Sequence, residues 1–177
     1  MRLQHASWQE VEAYLQHKRG IIVPIGSTEQ HGPTGLLGTD AICPEVIAWE
    51  LGKRHEVLVA PTQNLGMAQH HLAFPGTISL RPTTLIAVLR DTIESLAGHG
   101  FRHILFLNGH GGNIATLSAA FSEVYAERSM RRGGEPAAPL HLSTHNWFAG
   151  PRVRKLAESL YGDAEGTHAT ASEIALS

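Results

Sequence analysis

The apolar run Ile104–Leu107 ends at a glycine-rich turn, Asn108-Gly109-His110-Gly111-Gly112-Asn113, and a helical pattern follows that turn. The apolar run predicts a buried strand, and the glycines leave the backbone of the turn open to close approach by a ligand. A strand that leads into a helix through such a turn is typical of an open α/β sheet, where ligands bind at the carboxyl ends of strands. The sequence therefore predicts an α/β fold with a candidate site at this turn.

The rest of the chain alternates short apolar runs with helical patterns. Ser7 and Glu10 have the spacing of a capping box and predict a helix that Gly20 ends. Strands are expected over 21–25, 57–60, 103–107 and 140–143, and helices over 8–19, 40–54, 83–97, 113–128 and 151–160. This alternation indicates a mostly parallel sheet with helices on both faces, in a single domain over residues 1–177. The segment Arg131–Pro136 is predicted to be an exposed loop.

The composition argues against several classes of protein. A net charge of -2 without a basic patch gives no reason to expect nucleic-acid binding. No segment approaches the roughly 20 apolar residues of a membrane span, and Met1–His5 does not begin a signal peptide. Cys43 is the one cysteine, so no internal disulfide can form. We expect a soluble cytoplasmic protein, and the low content of charged residues suits a homo-oligomer.

Two groups of potential metal ligands follow predicted strands. Glu29 and His31 are two residues apart, so in extended backbone both side chains point to the same side. Asp40 follows after a glycine-rich loop, and His110 comes from the turn after another strand. Histidines together with carboxylates suit divalent Zn²⁺, Mn²⁺ or Fe²⁺. The surplus of carboxylates favours two ions with one bridging carboxylate, which can hold a hydroxide nucleophile and polarise a carbonyl.

Each of these motifs has a simpler interpretation when it is taken alone. A Glu-x-His pair in a loop is usually solvated, and a Gly-His-Gly-Gly turn before a helix is also typical of a phosphate site. The joint pattern at two strand ends favours the metal interpretation. His70 and His71 stay ambiguous between a pocket position and an exposed one. Trp8 and Trp49 are expected in the core, and Trp147 in the pocket wall.

Four motifs, taken in order, resemble those of the creatininase family. They are Pro24–Pro33 with Leu37–Asp40, then Phe74–Leu80, then Asn108–Asn113, and finally His168-Ala169 followed by Glu173. The resemblance extends over nearly the whole chain. It is specific for the family and much less specific for the substrate.

The resemblance implies a three-layer αβα fold and a dinuclear metal centre. Carried onto the matching positions, it implies that Glu29, Asp40 and His110 hold one ion. It implies that His31 and Asp40 hold the other ion, so that Asp40 bridges the two.

The resemblance also implies roles for the last motif. Creatininase has a glutamate ligand two residues after the motif histidine, where this chain has Gly112. Glu173 is then the implied replacement ligand, and His168 matches the candidate acid/base histidine of the family. Either His168 or Glu173 would carry the proton to the leaving nitrogen.

The implied activity is metal-dependent hydrolysis of a non-peptide C–N bond, in a cyclic amide or formamide of a small molecule, by a metal-bound hydroxide. A peptidase acting on a modified peptide and a non-catalytic family member are the alternatives. A large, open pocket mouth would favour the peptidase. The residues expected to line the substrate pocket are His71, Pro75, Gly76, Thr77, Gly111, Gly112 and Trp147.

The resemblance carries two expectations about the whole protein. Relatives form homo-oligomers, often hexamers, so the same assembly is expected for this chain. Because the sequence stops at Ser177, the chain is also expected to lack the C-terminal helix and tail of the family.

Overall fold

The structure, a computed structural model, describes residues 1–130 and 138–177. The strands in these ranges are β1 (Gly20–Ile25), β2 (Leu58–Val59), β3 (His103–Asn108) and β4 (His141–Asn146). The α-helices are α1 (Trp8–Leu15), α2 (Thr39–His55), α3 (Pro82–His99), α4 (Ile114–Met130), α5 (Pro151–Tyr161) and α6 (Ala171–Leu176). The loop predicted over Arg131–Pro136 lies outside the described residues.

The four strands form one parallel sheet in the order β2-β1-β3-β4. In the central pair, Ile21 lies opposite Ile104 and Ile25 lies opposite Asn108. The carboxyl ends of β1 and β3 are therefore level with each other. The segments that follow these two strands start side by side at the same edge of the sheet.

Helices cover both faces of the sheet. Because successive strand residues point to opposite sides, each central strand packs against helices on both faces. Ile21 and Val23 pack in a core cluster that also contains residues of α3 and α4. Ile22 and Leu107 pack in a second cluster with residues of α2 and α5. This arrangement confirms the predicted three-layer αβα fold with a parallel sheet. In the described ranges no helix is both long and apolar enough to cross a membrane.

Several element boundaries differ from the prediction. The first helix ends at Leu15, and Gly20 opens β1 instead of ending that helix. Strand β4 continues to Asn146, because ladder hydrogen bonds to β3 extend it through polar, largely exposed residues that have no apolar pattern. Helix α6 was not predicted, although Thr170 and Glu173 form a capping box at its start.

The tryptophans are placed differently from the sequence prediction. Trp8 is 70% exposed, so its assignment to the core is wrong. The core contacts of α1 come instead from Val11, Tyr14 and Leu15, which share one face of the helix. Trp49 is half-buried, and the guanidinium group of Arg2 lies 3.3 Å from the centroid of its ring.

Candidate metal centre

The candidate site lies where the carboxyl ends of β1 and β3 meet the start of α2. Asp40 is in the first turn of α2. A Cβ atom at Gly26 or at Gly109 would overlap with the backbone carbonyl of Asp40. Glycine at these two positions therefore allows the start of the helix to approach both strand ends. This close approach brings the Asp40 carboxylate next to the residues that follow β1 and β3.

Glu29, Asp40 and His110 form the first cluster of potential metal ligands. Nδ1 of His110 lies 2.8 Å from Oδ2 of Asp40 and 3.4 Å from Oε1 of Glu29. All three residues are buried, and in the described structure neither of these carboxylate oxygens makes a hydrogen bond of regular geometry, although the His110 ring faces both. A buried carboxylate oxygen without a partner is costly. The cluster therefore suits a cation.

His31, Asp40 and Glu173 form the second cluster. Nε2 of His31 lies 3.0 Å from Oδ1 of Asp40, so Asp40 turns one oxygen toward each cluster. Oε2 of Glu173 accepts hydrogen bonds from the backbone N–H and the hydroxyl of Thr170, which caps α6. This capping box fixes the Glu173 side chain, and Oε1 takes no part in it.

Backbone carbonyls fix the orientation of both buried imidazole rings. Nε2 of His110 lies 2.9 Å from the carbonyl of Met67, and Nδ1 of His31 lies 3.1 Å from the carbonyl of Glu29. Because a carbonyl accepts only from N–H, these contacts place one proton on each ring at the nitrogen remote from Asp40. When Nδ1 of His110 and Nε2 of His31 carry no proton, their lone pairs face the carboxylates. This is the usual arrangement of histidines that bind metal ions.

The ionisation of the site shows how strongly its charges interact. Burial, reinforced by the Asp40 carboxylate and opposed by His110, raises the pKa of Glu29 to about 7. Burial lowers the pKa of His31, but the hydrogen bond and charge of Asp40 outweigh it and raise that pKa to about 9. Burial likewise opposes a low pKa at Asp40, yet the two facing imidazoles hold it below its usual value. In the metal-free protein, protons therefore occupy positions that a cation would take.

His168 reaches the same site from the segment before α6. Its Nδ1 lies 3.8 Å from Oε1 of Glu29, and its ring centroid is 4.7 Å from that of His31. On its other side the ring stacks on His71, at 4.6 Å between centroids. His168 is about one third exposed, unlike the buried residues of the two clusters. It therefore lies between those clusters and the solvent.

A cavity of about 840 Å³ opens over the two clusters. Its walls include His71, Gly111 and Gly112, three of the residues predicted to line the pocket, and also His168 and Glu173. Another wall, which was not predicted from the sequence, comes from α5 and the following loop. It includes Val153, Arg154, Ala157, Glu158 and Glu165. The position of α5 after β4, at the same edge of the sheet, was the signal that could have indicated it.

Four other predicted pocket residues do not line this cavity. Trp147 is buried in the core cluster beneath α2 and α5, because it follows β4 at a position that faces the core. The turn that contains Pro75, Gly76 and Thr77 contacts the Glu29–His31 segment. There the hydroxyl of Thr77 accepts a hydrogen bond from the backbone N–H of Gln30 at 3.3 Å. This turn supports the ligand segment from outside the cavity.

Comparison with known proteins identifies the family. The family model described as Creatininase: Creatinine amidohydrolase matches residues 4–177. The chain belongs to the creatininase family. The mycofactocin precursor peptide peptidase of Mycobacterium tuberculosis is 34% identical over 162 residues, which cover 75% of this chain and 64% of that relative. The creatinine amidohydrolase of Pseudomonas putida is 32% identical over 113 residues, which cover 60% of this chain and 44% of that relative. The chain thus spans less than two thirds of the length of either relative.

Solved structures of creatininases share the fold. A mutant creatininase of the Zn–Zn type superposes with a TM-score of 0.79 at 25% identity, over 95% of this chain and 67% of that one. The creatininase fold predicted from the four motifs is therefore confirmed.

The structure leaves no room for a side chain at position 112. A Cβ atom at Gly112 would overlap with Nε2 of His110 and with the carbonyl of Met67. The hydrogen bond that orients His110 therefore occupies the space that a side chain at position 112 would need. Glu173, which joins the second cluster from α6, supplies a carboxylate on the other side of Asp40.

Proposed function

We propose that the chain is a hydrolase that cleaves an amide C–N bond with the help of two divalent metal ions. The observation that carries this proposal is the position of Asp40, which belongs to both three-residue clusters and turns one oxygen toward each. A carboxylate shared in this way is typical of a bridging ligand between two ions. Membership of the creatininase family supports the same conclusion.

The donor groups fit such a centre. Glu29, Asp40 and His110 would hold one ion, and His31, Asp40 and Glu173 would hold the other. The buried oxygens of Glu29 and Asp40, and the ring nitrogens of both histidines that face Asp40, support this assignment. Imidazole and carboxylate ligands suit Zn²⁺, Mn²⁺ or Fe²⁺. When bound, two such ions lower the pKa of a water molecule and polarise a carbonyl group.

The residues of the chain provide the remaining parts of the reaction. His168, beside the clusters and partly exposed, is in a position to carry a proton to the leaving nitrogen. Glu173, which also lines the cavity, is the second candidate for that proton transfer. Gly111 and Gly112 expose their backbone to the cavity, so an amide substrate can approach the clusters closely.

The substrate proposed first is a small cyclic amide or formamide. A peptidase acting on a modified peptide is the second candidate, and two observations favour it. The cavity of about 840 Å³ is near the upper end of the range of small-molecule sites and has room for a peptide segment. The relative from Mycobacterium tuberculosis, whose name describes a peptide peptidase, matches 75% of this chain.

A substrate panel tests the proposal. The metal-free protein is loaded with zinc or manganese and incubated with creatinine, a second cyclic amide, an N-formyl amine and a peptide with a modified C-terminus. Release of the amine product is then measured. We expect turnover of one class by the loaded protein and none by the metal-free protein or by Asp40→Ala. The matched control Asp91→Ala removes an exposed carboxylate of α3 and should keep full activity.

The outcomes of the panel separate the hypotheses. His168→Ala should bind two metal ions and turn over about 10²–10⁴-fold more slowly than the parent chain. A chain that binds both ions and hydrolyses nothing on the panel would favour the non-catalytic alternative. Equal turnover with and without metal would contradict the proposed mechanism.

The single domain over residues 1–177, the homo-oligomer and the cytoplasmic location stay predictions.

A further inference from the structure

Gln30 lies between the two ligands Glu29 and His31, and its side chain contacts two other histidines. Its Nε2 lies 2.9 Å from Nδ1 of His71 and 3.1 Å from Nε2 of His168. His168 is 138 residues away in sequence, so the carboxamide of Gln30 joins parts of the site from distant segments. The proposed metal sites use neither Gln30 nor His71.

The orientation of this carboxamide is determined by a third contact. The backbone N–H of Gly32 donates to Oε1 of Gln30 at 2.9 Å. The oxygen of the amide is therefore the atom beside Gly32, and the NH₂ group faces the two histidines. Its two hydrogens can be donated to two acceptors at once, and each acceptor must be a ring nitrogen that carries no proton.

This requirement determines where the proton of His71 lies. Because Nδ1 of His71 accepts from Gln30, a neutral His71 ring carries its proton on Nε2. That nitrogen lies 3.7 Å from Oε1 of Glu29, at the wall of the cavity. A nitrogen that carries a proton has no lone pair for a metal ion. His71 is therefore not available as a ligand at Nε2, although its nitrogens lie close enough to Glu29 and His70 to form a third cluster.

We propose that Gln30 is a positioning residue that keeps the proton of His71 on Nε2, and thereby makes His71 an N–H donor into the cavity instead of a metal ligand. The inference rests on the proposed function, since the group that would accept this hydrogen bond is an oxygen that becomes negative during amide hydrolysis. A donor fixed in advance beside such an oxygen stabilises the charge as it develops.

His168 has a different relation to Gln30. Its Nε2 lies 3.0 Å from the backbone carbonyl of Gln30 as well as 3.1 Å from the side-chain NH₂ group. Nε2 of His168 can therefore donate to the carbonyl or accept from the amide. His168 keeps a partner in either tautomer, which suits a residue that both takes up and releases a proton at Nδ1.

The tautomer of His71 can be read directly by long-range ¹H–¹⁵N NMR of the full chain, labelled at histidine and loaded with zinc. His71→Gln assigns the signals by their loss. We expect wild-type His71 to carry its proton on Nε2 and none on Nδ1. In Gln30→Glu the NH₂ group becomes an acceptor while Oε1 still accepts from Gly32, so Nδ1 of His71 should become protonated. The matched control Gln16→Glu, at an exposed position, should leave the His71 signals unchanged.

Two results would overturn the inference: a proton on Nδ1 of His71 in the wild-type protein, or an unchanged Nδ1 signal in Gln30→Glu. The wild-type spectrum decides the question even if the variant does not fold. Failure of the proposed function is a separate result, because it would appear as a wild-type chain that binds no zinc. The tautomer of His71 can then still be measured in the metal-free protein.

Discussion

The most specific consequence of the structure concerns Gly112 and its neighbour Gly111. A methyl group at position 112 would overlap with Nε2 of His110 and the Met67 carbonyl, which are joined by a hydrogen bond of 2.9 Å. A methyl group at position 111 would meet nothing within 4 Å. Gly112→Ala and Gly111→Ala therefore make the same chemical change in a filled and an empty space.

The magnitude follows from these contacts. Forcing a methyl group into a packed interior costs about 1–3 kcal/mol, and breaking the hydrogen bond from His110 costs about 0.5–1.5 kcal/mol more. We expect Gly112→Ala to lower the free energy of unfolding by about 1.5–4.5 kcal/mol. Gly111→Ala should change it by no more than about 0.5 kcal/mol. Because the Met67 carbonyl orients His110, Gly112→Ala should also weaken metal binding by about 10–100-fold.

Two measurements test this prediction. Urea unfolding of the metal-free variants gives the change in free energy of unfolding, and zinc titration against a competing chelator gives the affinity. If Gly112→Ala and Gly111→Ala had the same free energy of unfolding and the same zinc affinity, then His110 would not be held as the structure describes. The close packing described around Gly112 would be contradicted as well.

Three further outcomes are expected. Asp40→Ala should lose both metal ions, whereas Glu173→Gln should lose one ion or bind it more weakly. Metal analysis by mass spectrometry measures both. Two tightly bound ions in Glu173→Gln would exclude Glu173 as a ligand. In the metal-free protein, Asp40 outweighs burial and raises the pKa of His31 to about 9. The stabilisation from its proton is complete below about pH 6.5 and is lost as the pH rises through about 9. The melting temperature should therefore fall between about pH 7 and pH 9.5, and an equal fall in His31→Gln would contradict this. Glu56, the residue after α2, has the left-handed angles φ +53° and ψ +44°. Glu56→Gly should therefore raise the free energy of unfolding by about 0.5–1 kcal/mol. A lower free energy in urea unfolding would refute the strain argument.

The sheet could be predicted from sequence because its central strands are nearly continuous apolar runs. The segments 21–25 and 103–107 coincide closely with β1 and β3. Strand β4 was predicted too short because most of its residues are exposed and polar, so its length is set by pairing with β3 and not by its own pattern. Helix α6 was missed although Thr170 and Glu173 have the spacing of a capping box.

The metal-ligand candidates could be found from sequence because they are ligand-type side chains that directly follow predicted strands or begin a predicted helix. Glu29 and His110 follow strands that become neighbours, and the structure brings both to Asp40. The cavity wall was less predictable. Trp147 follows β4 but turns into the core, while Arg154 reaches the cavity from α5. Which side chains of a helix face a cavity depends on how that helix packs, and the local sequence does not record this.

Anomalous diffraction at the zinc edge, from crystals of zinc-loaded protein prepared without chelator, tests the central claim most directly. Two peaks are predicted on either side of the Asp40 carboxylate. One should lie among Glu29, Asp40 and His110, and the other among His31, Asp40 and Glu173, with ligand distances of about 2.0–2.2 Å. A single peak that Asp40 does not contact, or zinc bound only elsewhere on the chain, would contradict the bridged two-metal centre.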